Sequence, residues 1–203
     1  MMTSPAQQQQ RRRHILTVTL GIARKGGYEA VQMRAVADCA DVAVGTVYRY
    51  FPSKQNLLLS ALESELDRFE RKARPAPTGA ADCYEQLWQV ISNLYADMAR
   101  DIRLAEAMAR AFMVAYTSEC SDADRIRHRL DALFARLLAG GDPSTAQRQV
   151  ACVIVDAWVS NAVSWLRRRA TTGDINHRLW HLLGVVARHE GAHWPPNTRP
   201  DSG

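Results

Sequence analysis

The sequence predicts an all-α fold of about nine helices. Apolar residues recur at helical spacing along nearly the whole chain, and no segment alternates apolar and polar residues as a half-buried strand would. Stretches rich in glycine and proline cut this pattern into pieces of helical length. With 203 residues and 47% hydrophobic content, the chain can bury a substantial core, as one large domain or two small ones. No internal repeat is evident.

Residues 1–10, with "QQQQ", are low in complexity and are expected to form a disordered tail. A first helix over about 8–25 would place Ile15, Leu16, Val18, Leu20 and Ile22 on one broad apolar face. "RRRHILTVTLGIARKGG" also resembles a secretory leader. However, Arg24 and Lys25 follow the apolar run at once and no small-x-small cleavage site appears, so it is read as helix. Gly26 and Gly27 should end it through left-handed backbone. Short helices are expected at about 33–40 and 44–50, then one at about 54–73 with Ser53 as its cap. "RPAPTG" (74–79) reads as a boundary. Further helices are expected at about 82–100, 102–115, 122–139, 144–170 and 174–190, separated by signals such as "GGDP", with Asp142 or Ser144 as cap, and "TTGD". Residues 191–203 should be a flexible tail. The implied division is a tail to 10, a first domain over 11–54, a second over 55–190, and the second tail.

The segment 144–170 is apolar around most of its circumference. Val150, Val153, Ile154, Ala157, Asn161 and Trp165 lie on one side, and Ala151, Val155, Trp158, Ala162 and Leu166 on the next. Such a helix must be covered on two sides. The following helix offers a stripe of Ile175, Leu179, Leu182, Leu183 and Val186. One chain has few elements left to cover both, so these two helices are expected to form a four-helix homodimer interface. No apolar run is read as long enough to span a membrane. Cys39, Cys83, Cys120 and Cys152 are widely spaced without a CxxC, which suggests reduced, mostly buried thiols in a cytoplasmic protein.

Charge gives the first functional clue. The net charge is +5, and residues 1–54 carry eight Lys/Arg against three Asp/Glu, whereas the remainder carries eighteen of each. A basic surface confined to one quarter of the chain calls for an anionic partner: nucleic acid, membrane or acidic protein. Residues 33–51 read as helix-turn-helix, with Val36, Ala37, Val42, Val47 and Phe51 inward and the second helix free to enter a DNA major groove. Val44 and Gly45 open that helix, and Gly45 leaves its front bare for close approach to DNA. Thr46 can touch a thymine methyl or exchange hydrogen bonds. Tyr48 and Tyr50 can donate to phosphates, and Arg49 can fork onto a guanine edge. Lys54, with the amides that open its helix, can hold another phosphate, and Arg34 is a second base or phosphate reader. Arg11, Arg12 and Arg13 read either as an arm into a minor groove or as a solvated tail. Taken singly, each residue fits ordinary packing or a solvated face; their combination points to DNA.

"GYEAVQMRAVADCADVAVGTVYRYFPSK" resembles the DNA-binding domain of the TetR family of bacterial repressors. "EAMARAF" and "DAWVSNAVSWLRRRA" extend the resemblance into the second half and favour the actinobacterial cholesterol-catabolism branch of that family. The resemblance implies an all-helical homodimer in which Thr46, Tyr48, Arg49, Tyr50 and Lys54 match DNA-contacting positions. The chain departs from the pattern at Gln32, where Ser or Thr is usual, at Asp41 (usually Gly) and at Ala43 (usually Ser). Two side-chain caps are therefore expected to be missing. Aspartate can take the left-handed turn conformation at modest cost.

The resemblance further implies a cavity in the second domain for a sterol-derived acyl-CoA, whose release of the protein from a palindromic operator would control lipid and sterol catabolism genes. Met98, Met108, Phe112, Tyr116, Trp158, Asn161 and Trp165 are the candidate ligand contacts, although aromatic residues at helical spacing are more commonly ordinary core. Arg100, Arg103, Arg110 and Arg167–Arg169 are available for the CoA phosphates. No cofactor is expected. GxSxG, P-loop and GxGxxG motifs are absent, which argues against an enzyme. His177 and His181, four apart, could hold a metal, but no HExxH occurs and no third ligand is identified, so they read as surface or interface residues. The alternatives are a TetR-type regulator of another apolar ligand or of drug efflux and, more remotely, a membrane-surface or metal-binding helical protein.

Overall fold

The structure, a computed structural model, describes residues 4–73, 83–118, 121–192 and 194. The expected boundary at 74–79, Cys120 and the tail beyond Trp194 lie outside these residues. The described residues form nine helices and no strand: α1 (Pro5–Ala30), α2 (Met33–Cys39), α3 (Val44–Tyr50), α4 (Lys54–Lys72), α5 (Cys83–Arg100), α6 (Ile102–Tyr116), α7 (Ser121–Ala139), α8 (Thr145–Leu166) and α9 (Thr172–His189).

α1 begins earlier and ends later than expected. Ser4 caps it through a reciprocal box with Gln7, and Pro5 supplies a preset first turn, so the glutamine run is helical instead of disordered. Gly27 does take positive φ (68°), as expected, but helical backbone resumes beyond it and carries Tyr28 and Glu29 in a re-aimed final turn. Ser53 caps α4 as expected: its Oγ accepts from the Asn56 amide at 3.1 Å. Of the two candidates before α8, Ser144 is the cap, again with a reciprocal box. α8 stops at Leu166, so Arg167–Arg169 follow the helix instead of extending it, and Arg168 has positive φ (54°).

The chain divides into two compact units, Met1–Arg68 with Met98–Arg125, and Phe69–Asp97 with Ile126–Gly203. Packing thus cuts the chain differently from a functional division at residue 54. In the first unit α1 packs on α6 and α2, and α2 packs on α3. Ile15, Leu16, Leu20, Val36, Val47, Phe51 and Leu57 form its core together with Leu104, Met108 and Ala111 of α6. In the second unit α8 packs on α9.

Three further expectations need correction. α8 is long and apolar enough, by length and composition alone, to cross a membrane, and much of it is not buried within the single chain. A single helix of this kind is equally what a packed interface needs; Asp156 interrupts its apolar residues, so no unbroken run has that length although the helix as a whole is apolar enough. Trp194, read as part of a loose tail, is buried against Trp180 with ring centroids 4.2 Å apart. Cys39, read with the buried thiols, is exposed, whereas Cys83 is buried and Cys152 half-buried.

Candidate nucleic-acid interface

α2 and α3 are joined by a tight turn. The Val42 amide donates to the Ala37 carbonyl at 3.0 Å, and Asp41 takes the left-handed conformation (φ 51°) that the turn requires. Neither Gln32 nor Ala43 makes a side-chain cap, as their departure from the family pattern led us to expect. Tertiary anchoring holds the short α3 in place: Val47 and Phe51 are fully buried, and the Phe51 amide closes the last turn on Val47.

With that face inward, the opposite face of α3 is presented outward. Tyr48 is 49% exposed and Val44 37%. Arg49 is also exposed, its guanidinium 5.4 Å from the Tyr50 ring, while Tyr50 and Thr46 are half-buried. A Cβ added at Gly45 meets nothing within 4 Å, so no packing among the described residues calls for glycine there. Arg34 is exposed on α2. Arg12 does not belong to a free arm: it lies in α1, donates to Ser60 at 3.2 Å and stacks 5.2 Å from Phe51, while Arg11 and Arg13 are exposed.

Lys54, at the start of α4, has a more elaborate setting. Its Nζ lies 3.9 Å from the Tyr28 ring centroid and 3.9 Å from a Glu29 carboxylate oxygen. Arg110 of α6 shares both partners, at 4.2 Å from the same ring and 2.7 Å from the other Glu29 oxygen. Burial pulls the Lys54 pKa below the usual lysine value; Glu29 raises it and Arg110 lowers it further. Sequence reasoning missed Tyr28, Glu29 and Arg110 as neighbours of Lys54, since nothing local ties positions 28, 54 and 110.

The candidate ligand contacts fall in both units. In the first, Met108 is buried within the core already described. Phe112 is buried and stacks on the exposed Tyr116 with centroids 5.3 Å apart, and Met98 is half-buried. In the second, Trp158 has Tyr95 and Phe134 each 6.3 Å away, and Trp165 lies 6.4 Å from Tyr95. The fully buried Tyr95 donates its hydroxyl to the Trp158 carbonyl at 3.1 Å, and burial pushes its pKa far above the usual phenol value. The Trp158 indole N–H is itself buried, with no hydrogen-bond partner among the described residues. Asn161 accepts from Arg178 of α9 at 3.4 Å. Of the arginines considered for CoA phosphates, Arg103 donates to the Lys25 carbonyl and Arg110 pairs with Glu29. His177 and His181 meet each other, Nε2 to Nε2 at 2.9 Å. Among the described residues no group of three or more His, Cys, Asp or Glu gathers as metal ligands would.

Comparison with known proteins agrees with this geometry. Residues 15–61 match a family of bacterial regulatory proteins, the tetR family, and residues 80–182 match a tetracyclin repressor-like C-terminal domain. The chain is 48% identical over 172 residues to the HTH-type transcriptional repressor KstR of Mycobacterium tuberculosis, covering 85% of this chain and 78% of that one. The KstR of Rhodococcus jostii is likewise 48% identical over 172 residues, covering 85% and 80%. Among solved structures, a TetR transcriptional regulator from Rhodococcus sp. RHA1 superposes with a TM-score of 0.74 at 22% identity, covering 89% of this chain and 98% of that one. Thermus thermophilus FadR, in complex with lauroyl-CoA, gives 0.68 at 19%, covering 94% and 100%. At such identities these superpositions speak to the fold.

Proposed function

The chain belongs to the TetR family of transcriptional regulators, and from that membership we propose that it is a cytoplasmic homodimeric repressor that reads a palindromic operator and is released by a sterol-derived acyl-CoA. It is a transcriptional repressor by relationship, not an enzyme. One observation carries the DNA-reading part: α3 is pinned from behind by Val47 and Phe51, while Tyr48, Arg49 and the bare Gly45 are left outward. Residues 11–54 carry that role in this reading. Arg49, Thr46 and Arg34 read bases; Tyr48, Tyr50 and Lys54 hold phosphates and set register.

Residues 55–190 carry dimerisation and effector binding. Val153 on α8 and Val185 on α9 are 58% and 59% exposed in the single chain, and these two helices pack together. Exposed valines on two helices that pack together suit an isologous interface. The effector reading rests on the kinship with KstR repressors and on the acyl-CoA held by FadR, a fold relative. The aromatic surroundings of Trp158 suit an apolar ligand.

Sequencing DNA fragments selected by the purified protein tests the first part: a palindrome should emerge, with half-sites about one helical turn apart or slightly more. Titrating a sterol acyl-CoA, the free sterol acid, cholesterol and CoA against the protein–operator complex tests the second. Release by the thioester alone is the expected result. If none of the four releases DNA, the effector belongs to another chemical class. Differential affinity for the two states sets the size of release, typically about 5–150-fold.

A further inference from the structure

We propose that Arg110 of α6 is a positioning residue for DNA binding: by occupying Glu29, it leaves the Lys54 ammonium available for an operator phosphate. The inference rests on the reading of Lys54 as a phosphate contact. It starts from an imbalance of charge, in which one carboxylate, Glu29, faces two cations that also share one aromatic ring, Tyr28.

The two pairings are unequal. Arg110 reaches Glu29 at 2.7 Å, a hydrogen-bonded ion pair, while Lys54 stays at 3.9 Å, the outer limit of a salt bridge. The Lys54 ammonium therefore rests on the ring of Tyr28 and is only loosely held by the carboxylate. Its side chain is 26% exposed, enough to meet a phosphate, and burial has already removed part of its hydration. Withdrawing Arg110 leaves Glu29 with Lys54 as its neighbouring cation. The carboxylate then pulls the ammonium in and competes with the phosphate for it.

Tyr28 and Glu29 are poised for this because α1 is re-aimed at Gly27. Arg110 lies on α6 between Met108 and Phe112, and α6 is tied to α1 by further contacts: Arg24 with Asp101 at 3.2 Å, and Arg103 with the Lys25 carbonyl. A shift of α6 would therefore be registered at Lys54 through a single carboxylate.

Operator affinity measured by fluorescence anisotropy across a salt series tests this on the full-length protein. K54Q should weaken binding and lower the slope of log affinity against log salt by about one. R110M should weaken binding by about two- to five-fold, the scale of an exposed ion pair. In the E29Q background R110M should have no effect, because no carboxylate remains to capture Lys54. In the K54Q background it should again have none. Additive losses in both backgrounds would make Arg110 an independent charge and overturn the proposal, as would an R110M protein that binds like wild type. If K54Q changes neither affinity nor slope, the phosphate reading of Lys54 falls and the positioning role falls with it. Glu29 and Arg110 are 74% and 55% exposed, so E29Q and R110M should fold, and thermal melts would verify this for them and for K54Q.

Discussion

The indole nitrogen of Trp194 lies where a Cβ added to Gly184 would come within 2.5 Å of it. Two effects then compete in Gly184→Ala. Alanine is a better helix former by about 1 kcal/mol. Displacing a buried indole that also packs on Trp180 costs about 1–3 kcal/mol. Loss should win, so Gly184→Ala should lower the melting temperature. In a Trp194→Ala background the same substitution should raise it. A loss in both backgrounds would show that Trp194 is not what the glycine accommodates.

Asp41 bears the left-handed turn between α2 and α3. Asp41→Ala should destabilise by about 1 kcal/mol, since alanine has the steric penalty without a side chain that can bond locally. Asp41→Gly should be neutral or slightly stabilising, with strain relief offset by backbone entropy. Chemical denaturation of the two variants gives the comparison, and equal stabilities would contradict it.

Arg49→Ala should cost about 1–3 kcal/mol on the preferred operator and relax preference at one base position. Tyr48→Phe should weaken binding to all sequences alike, because a phosphate has no base identity. Binding measured on a panel of single-base operator variants separates the two behaviours.

Val153→Glu combined with Val185→Glu should shift the protein toward folded monomers. Both side chains are solvent-exposed within one chain, so the change should leave the fold intact while charging the proposed interface. Sedimentation at micromolar concentration, with circular dichroism as the folding control, reads the outcome. An unchanged dimer would move the interface elsewhere.

The carboxylate of Asp174 is held below its usual pKa by the Thr171 amide, at 2.8 Å, and by the Thr171 hydroxyl, at 2.7 Å. A depressed folded-state pKa contributes stability that is fully present above the unfolded value, about 3.9, and is lost as pH falls through the folded one. The stability difference between wild type and Asp174→Asn should therefore be present at pH 6 and shrink below about pH 4, as followed by denaturant unfolding.

The helix-turn-helix was legible because its signals are local. The periodicity that buries Val36, Ala37, Val47 and Phe51 is written within nineteen consecutive positions, and so is the turn at Asp41. The Ser53 cap is equally local. What the sequence hid depends on distant positions. Tyr28, Glu29, Lys54 and Arg110 meet only because α6 packs back on α1. The burial of Trp194 depends on a gap at Gly184 in the preceding helix. The glutamine run at 7–10 was misread for a different reason: composition suggested disorder, while Ser4, Pro5 and Gln7 together start a helix. The spanning length of α8 was hidden because Asp156 breaks the apolar run, while the helix taken whole remains apolar enough.

The unpartnered indole N–H of Trp158 has a consequence for motion. A donor shut away from any acceptor costs about 1–3 kcal/mol relative to one that is satisfied. The aromatic packing around Tyr95, Phe134 and Trp165 thus encloses a local debt that global unfolding is not needed to settle. Any partial opening that lets water reach the indole recovers that energy, which lowers the cost of excursions there relative to the well-bonded helices nearby. The Trp88 indole N–H is buried likewise without an acceptor among the described residues, so the same readiness to open extends to α5.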